Sequence, residues 1–317
     1  MLSKRRREVG LRSLFRTRSR AMRALLATVE KIVDHDVSLL ILGESGVGKN
    51  YLAEAIHACS ARKEQPFVHI DCAAIPHDLF ESELFGYEQG TFTDAKARKI
   101  GKLEAARGGT VYFDEIAALS TALQAKLLRA IEERKFTRLG GHQNVTFSAR
   151  VITSTNVDLD ALVQSGEFRR DLLYRINIVT LTIPPLRERA EDIPQLAAAF
   201  LRRSPRKGIR GFDPEALQTV IAYSWPGNVR ELHNVIERAA LLEESDRITV
   251  AALADRLRDG ASLLTAAARD QWTLDQLEER YICEVLRQTR SNYSRAARIL
   301  GINRKTLLEK RKRYGLV

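Results

Sequence analysis

"VSLLILGESGVGKN", Val37 to Asn50, is the stretch that decides the fold. Val37–Leu42 is an unbroken apolar run of strand length, the pattern of a parallel strand covered on both faces. It stops at Gly43. Gly43, Gly46 and Gly48 then let the backbone curl until successive N–H groups point inward around phosphate oxygens. Lys49 adds a full positive charge toward the β- and γ-phosphates. "YLAEAIHACS" reads as a helix whose N-terminus faces the same anion. The G-x-x-x-x-G-K pattern thus sits in the strand–loop–helix setting that its chemistry needs. The residues expected around the phosphates are Gly43, Glu44, Ser45, Gly46, Val47, Gly48, Lys49 and Asn50. Asn50 stands where the general pattern has Ser or Thr to touch magnesium; its amide supports a metal-bound water less directly.

The second half of a nucleotide site follows in "GGTVYFDEI". Gly108 and Gly109 turn the chain, and Thr110–Phe113 is a short β-rich run. It delivers Asp114 and Glu115 at its C-terminal end, where open α/β sheets bind ligands. Two adjacent acids there divide the work. Asp114 is expected to hold Mg²⁺, directly or through water, and Glu115 to orient and deprotonate the attacking water. A third strand, "RVITSTNVDL", ends in Thr155 and Asn156, polar groups placed to sense the γ-phosphate or the water. "FRRDLLYRINIV" carries Arg169, Arg170 and Arg175, either a solvated helix face or a finger toward a neighbouring subunit's nucleotide. Asp213-Pro214 opens a helix, Trp225-Pro226-Gly227-Asn228 breaks it, and Val229, Leu232, Ile236 and Ala239/Ala240 repeat at helical spacing beyond. Arg230 lies off that stripe and is free to face the nucleotide.

Charge placement separates this acidic body from its ends. The 317 residues carry a net charge of +11. Residues 1–24 hold +8 and residues 285–317 hold +9, which leaves −6 for everything between. Basic ends of this kind favour a polyanion. The first reads as a basic arm, with a transit peptide as the lesser alternative. No apolar run approaches the roughly 20 residues that span a bilayer, so no membrane partner is expected. Cys59, Cys72 and Cys283 lie far apart without metal-type spacing and read as free, buried thiols of a reducing cytosol.

The closing segment "LDQLEERYICEVLRQTRSNYSRAARILGINRKTLLEKRKRYGLV" reads as three helices. Leu274, Leu277, Tyr281, Val285 and Gln288 mark the first. Asn292 or Ser294 caps a second, from Arg295 to Leu300. Gly301-Ile302 makes the turn, and Asn303 caps a third carrying Leu307, Leu308 and Tyr314. This is a helix-turn-helix. Its last helix presents Arg304, Lys305 and Thr306 to base edges or nearby phosphates, and Lys310 mainly to phosphate. Asp255–Trp272 has weak patterning and reads as a linker.

One stretch fits none of these parts. In "FGYEQGTFTDA", Gly86, Gly90, Thr91, Thr93 and Ala95 surround a lone aromatic, Phe92, which is expected at a loop tip facing water.

Taken together, "GESGVGK", "ESELFGYEQGTFTDA", "VYFDEI", "FRRDLLYR", "PPLRERAEDI" and "WPGNVREL" resemble, in order and spacing, the AAA+ domain of bacterial enhancer-binding proteins. These are the NtrC-like activators of the sigma-54 RNA polymerase. The resemblance runs from about Phe15 to the C-terminus. It implies an α/β AAA+ P-loop NTPase core (15–183), a helical lid (184–254), the linker (255–272) and a Fis-type helix-turn-helix domain (273–317), after a basic arm (1–14). No room remains ahead of residue 15 for a receiver or sensory domain, so regulation is expected from a partner, from expression level, or not at all. The family's roles fall on Lys49, Asp114 and Glu115, on Asn156 as sensor I, on Arg169 and Arg175 as arginine fingers, and on Arg230 as sensor II. Phe92 and Thr93 match the GAFTGA loop that contacts sigma-54. The implied function is a cytoplasmic ATPase that binds double-stranded DNA as a dimer, closes into a hexameric ring and uses ATP and Mg²⁺ to open sigma-54 promoters. The alternative is a DNA-binding regulator in which nucleotide only sets the oligomeric state. Three departures carry expectations of their own. Thr91 and Asp94 replace Ala and Gly of the loop. Asp71 stands where the family has an Asn restraining the catalytic Glu, and is expected to face and repel Glu115. Arg16, Thr17 and Arg20 replace an apolar stretch near the adenine.

Overall fold

Strand β1 (Leu39–Leu42) lies inside a five-stranded parallel sheet with β2 (Phe67–Asp71), β3 (Thr110–Asp114), β4 (Arg150–Thr155) and β5 (Val179–Thr182), in the order β2-β3-β4-β1-β5. The architecture is that of a computed structural model, which describes residues 11–93, 95–206, 208–257, 271–289 and 292–315. The basic arm is described only from Leu11. Asp94 and most of the expected linker, residues 258–270, lie outside the described residues. The described chain forms two units: residues 11–203 with Trp225–Glu237, and Ser204–Ser224 with the remainder from Arg238.

In the first unit, side-chain alternation along each strand feeds two apolar layers. Leu40, Val111, Phe113 and Val151 pack on one face with Phe80, Leu127 and Leu172. Leu39, Ile41, Tyr112 and Ile152 pack on the other with Leu26, Val29, Leu52 and Ile56. This double cover is why β1 and β3 read as apolar runs rather than as alternating patterns. The strand begins two residues later than the run suggests. Arg150, nearly fully buried, takes the carbonyl of Val37 with its Nε at 3.3 Å. Its other nitrogens reach the carbonyls of Val33 at 2.5 Å and Ile32 at 3.0 Å. The same guanidinium therefore closes the C-terminus of the helix Arg20–Ile32 and marks where the strand starts.

Ser19 caps that helix, accepting from the Met22 amide. The residues ahead of it are fixed by Asp192, which is buried. Its carboxylate accepts from the Thr17 hydroxyl and from the Arg18 amide, both at 2.6 Å, and from the Ser19 amide at 3.3 Å. Thr17 is thus committed to Asp192.

The second unit holds two parts of different packing. Asp213 stands at the N-cap position of the helix Pro214–Ala222 without a side-chain capping bond, and Pro214 occupies the first turn as its missing N–H permits. That helix and Val250–Leu257 flank a short parallel pair, Gly211–Phe212 with Arg247–Ile248. The helix Asn228–Leu242 begins in the first unit and runs into this one, burying Leu232, Ile236, Ala239 and Ala240 as its spacing predicts.

Three C-terminal helices follow: Leu274–Gln288, Tyr293–Ile299 and Arg304–Arg313. Asn292 caps the second and Asn303 the third, each accepting from an amide three residues on. Gly301 takes the left-handed turn between them at φ +65°. The first helix is where the pattern places it, but its buried stripe is not. Ile282 and Val285 face the core with Ala296, Ala297 and Leu307. Leu274 is 84% exposed and Tyr281 stands on the open side. Only three small helices share this core, so one helix face buries two residues rather than a full heptad row. The side chain of Gln288 lies outside the described residues. Cysteine burial is corrected likewise: none of the three is in a disulfide, Cys72 is buried and Cys59 half-buried, but Cys283 is exposed.

Candidate functional site

The phosphate loop sits at the C-terminal end of β1, beside a cleft of 680 Å³ lined by Leu42, Gly43, Asn156, Ile183, Arg187 and Glu188 among others. Gly46 and Gly48 adopt φ +79° and +106°, open to glycine and strained for other residues. At Gly46 a side chain is excluded twice, since a Cβ would stand 2.3 Å from the Gly227 carbonyl oxygen. Lys49 is 5% exposed; its Nζ donates to the Gly43 carbonyl at 3.0 Å and pairs with Glu115 Oε1 at 3.2 Å. Glu115 follows β3 at φ +53°, a left-handed conformation costing a non-glycine residue about 1–3 kcal/mol. That backbone turn aims its carboxylate back across the loop. Oε2 accepts from the Asn156 amide at 3.3 Å, so the sequence-predicted Lys49, Glu115 and Asn156 do converge.

Asp114 is held differently. Its Oδ1 accepts from Ser154 Oγ at 2.5 Å and lies 3.0 Å from the Tyr112 hydroxyl. His69 Nε2 is 3.7 Å from Oδ2. Burial pushes the Asp114 carboxyl up, but the polar side chains of His69, Ser154, Tyr112 and Asn50 around it outweigh that and hold the group ionised well below the usual range. A charged, hard-oxygen donor beside a phosphate loop suits Mg²⁺, which keeps several waters and shares itself between one or two side chains and the substrate's phosphates. The residues fit that ion.

Asp71 is engaged locally: its Oδ1 accepts from the amides of Ala73 and Ala74, both at 3.1 Å, closing a turn. Arg230 reaches the loop: its amide donates to the Gly46 carbonyl at 3.2 Å and its Nη1 to Ser45 Oγ at 3.1 Å. The two finger candidates part company. Arg169 makes a two-point pair with Asp171 at 3.0 and 2.6 Å, whereas Arg175 has a buried Nε with no hydrogen-bond partner among the described residues.

Two residues that support the loop escape sequence reasoning. Asn228 is fully buried at φ +53°. Its Oδ1 accepts from the Leu186 amide at 2.7 Å, and its Nδ2 donates to Glu44 Oε2 at 3.0 Å and to the Ser45 carbonyl at 3.1 Å. Arg187 grips both oxygens of Glu44, at 2.9 and 2.6 Å. These bonds from Arg187 and Asn228 lower the Glu44 carboxyl to about 2. Glu44 is therefore a brace of the loop. The sole signal in the sequence is a polar Asn directly after Pro-Gly at the start of a helix.

The loop with the lone aromatic is bound at its base and open at its tip. Arg138, 5% exposed, pairs with Glu88 at 2.7 Å and Glu104 at 2.8 Å. Thr91 Oγ1 lies 2.6 Å from the Glu88 carbonyl and 3.0 Å from that of Leu139, and it fills the space a Cβ on Gly140 would need. Phe92 is 45% exposed and rests edge-on against Tyr87, with centroids 4.8 Å apart. Thr93 is exposed beside it. In the last helix Arg304 and Lys305 are exposed, and Thr306 donates back to Asn303 at 3.0 Å. Lys310 is half-buried and paired with Glu278 at 2.7 Å.

Comparison with known proteins matches the chain in three successive parts. A sigma-54 interaction domain matches residues 15–182, an AAA+ ATPase lid domain 187–269, and a bacterial regulatory protein domain of the Fis family 273–314. The transcriptional regulatory protein ZraR of Klebsiella oxytoca is 45% identical over 297 residues, spanning 92% of this chain and 67% of its own. The regulatory protein AtoC of Escherichia coli K12 is 43% identical over 310 residues, 95% of this chain and 67% of that one. Among solved structures, NtrX from Brucella abortus superposes with a TM-score of 0.71 at 34% identity, covering 98% of this chain and 70% of NtrX. NtrX has also been solved in complex with ATP, with a TM-score of 0.69 at 34% identity over 95% of this chain and 69% of that one. No helix of the described residues is long and apolar enough to cross a membrane.

Proposed function

The chain belongs to the family of sigma-54-dependent transcriptional activators built on an AAA+ ATPase, and on that premise we propose which of its residues carry the cycle. It is an ATPase and a DNA-binding activator of the sigma-54 RNA polymerase. The division of labour is an ATPase core at 15–183, a lid at 184–254, a linker at 255–272 and a DNA-reading domain from 273, all within the cytoplasm.

The observation that carries the site assignment is the Lys49–Glu115 contact of 3.2 Å at the sheet's C-terminal edge. ATP enters with its phosphates along the amides of Gly43 to Asn50. A triphosphate competes for Lys49, which releases Glu115 Oε1. The freed carboxylate is then available to take a proton from the attacking water, while the Asn156 amide keeps Oε2 in place. Asp114 and Asn50 hold Mg²⁺, which when bound neutralises charge growing on the β- and γ-phosphates. Arg230 lies against the loop through Ser45 and registers phosphate occupancy. Arg175, with its uncommitted Nε, and Arg169, once drawn from Asp171, complete a neighbour's site. The subunit contact is then head-to-tail and closes by rotation, giving a homo-oligomeric ring of six. Phe92 and Thr93 contact sigma-54, and the loop moves on its Arg138 base as the site turns over. Arg304, Lys305 and Thr306 read DNA, with Lys310 contributing once it leaves Glu278.

One experiment tests the whole. The purified chain is assayed for phosphate release and for open-complex formation on a sigma-54 promoter, alongside Glu115→Gln. Both signals should be present in the wild type and both absent in the variant. Phosphate release that survives Glu115→Gln would remove Glu115 from its assigned role.

A further inference from the structure

Tyr112 is an anomaly in its strand. It occupies the centre of β3 between Val111 and Phe113, fully buried, where an apolar ring would satisfy the packing. Its ring stacks on Phe67 at 6.1 Å and on His69 at 5.1 Å. Alternation puts it on the same face as Asp114, two residues on. The hydroxyl emerges among polar groups from two other elements and from the end of its own strand. It lies 2.9 Å from Asn50 Oδ1 at the start of the helix Lys49–Cys59, 2.8 Å from Ser154 Oγ on β4, and 3.0 Å from Asp114 Oδ1.

We propose that Tyr112 is a positioning residue for the divalent cation that accompanies the nucleotide: its hydroxyl holds the Asn50 amide oxygen in place beside Asp114, which Ser154 holds, so that both present fixed oxygens to the hydrated ion. The inference rests on the assignment of Asp114 to that ion. Proton counting supports it. A hydroxyl donates one hydrogen, and a carboxylate or amide oxygen only accepts. Ser154, at 2.5 Å, gives its proton to Asp114 Oδ1. The Tyr112 proton then serves Asn50 Oδ1. Asp114 Oδ2 and the second lone pair of Asn50 Oδ1 remain for the protons of metal-bound water. Mg²⁺ sheds its waters reluctantly, so acceptors already aimed at those waters bind it without reorganising. In this chain Asn50 has no hydroxyl to offer the ion. The Tyr112 phenol, reaching from β3 past β4, restores order at that place by holding the amide.

Tyr112→Phe keeps the ring and removes the bridge. The measurement is the affinity of a fluorescent ADP analogue for the full chain, titrated against Mg²⁺ and repeated in excess EDTA, with a thermal melt as control. The Mg²⁺ concentration giving half the tightening should rise, by about 10–100-fold as for other outer-shell partners of metal ligands. Affinity in EDTA should not move. Asn50→Ala should shift the Mg²⁺ midpoint the same way, and the double variant should add little to either single one. A Tyr112→Phe midpoint equal to wild type overturns the inference. So does an equal loss of affinity with and without Mg²⁺, which would make the hydroxyl a packing element. A wild type whose ADP affinity ignores Mg²⁺ would instead remove the Asp114 assignment, and the inference with it.

Discussion

The nucleotide site and the Phe92 loop belong to the same unit and are built on opposite terms. Around the phosphates almost every polar side chain is flanked twice over: Lys49 by Gly43 and Glu115, Glu44 by Arg187 and Asn228, Asp114 by Ser154 and Tyr112. At the loop, bonds gather at the base around Arg138 and Thr91, and the tip carries an aromatic with one ring neighbour. A reaction centre gains by having its dipoles fixed before charge develops. A part that must change place gains by having few contacts to break. The contrast separates the part that reacts from the part that moves.

Several measurements press on that contrast. The largest effect is expected from Glu115→Gln, which should lower turnover by roughly 10²–10⁴-fold, the range a general base contributes, and leave ATP binding in place. If turnover and sigma-54 capture both survived, the dense site would not drive the loose one. Next is Phe92→Ala. Capture of sigma-54 in the presence of a transition-state mimic of ATP should fall by about 2 kcal/mol or more, some 30-fold, as for an anchoring aromatic. Phosphate release should stay near wild type, and a parallel loss of both would show that the loop is part of the reaction centre. Asn228→Ala should be smaller in energy but felt in both stability and nucleotide affinity. Removing it leaves the Leu186 amide and one bond of Glu44 unmet, worth about 1–3 kcal/mol in a denaturant melt.

The smallest effect concerns pH. The Glu44 carboxyl is held at about 2 in the fold against 4.5 ordinarily. A depressed value means its contribution to stability is whole above 4.5 and fades as pH falls from 4.5 toward about 2. Arg187→Ala should therefore flatten part of the wild-type decline across that window, read as melting temperature against pH. The pair is solvent-exposed, so the change is slight and shrinks in salt. An identical pH profile in the variant would mean the brace depends on Asn228 alone.

The same contrast governs what the sequence discloses. Gly43 to Lys49 and Asp114-Glu115 are legible because their chemistry is set by neighbours a few residues away. Asn303 and Asn292 are legible as caps for the same reason. The supports of the site are not. Asn228 meets Glu44 across 184 positions and Arg187 meets it across 143. Tyr112 looks like one more ring in an apolar strand until Asn50, 62 positions earlier, comes beside its hydroxyl. The local turn of Asp71 was not legible either: register sets it beside Asp114 while the Ala73 and Ala74 amides engage one of its oxygens. The stripe of the first DNA-domain helix was misjudged at Leu274 and Tyr281 because periodicity gives a helix but not how much of one face a small core covers. The Asp94 departure falls outside the described residues; Asp94→Gly is expected to strengthen sigma-54 binding, and an affinity measurement checks it.

The meeting of Glu44, Leu186, Arg187 and Asn228 has a practical side for anyone who dissects this protein. A recombinant piece trimmed at residue 183 would keep the glycines, the lysine and both acids, and so would look complete by motif. It would lack the side chain that spans from Ser45 to Leu186, and the Gly227 backbone that presses on Gly46. Such a truncation should bind ATP poorly however well it folds, and extending it past Glu237 should restore the grip.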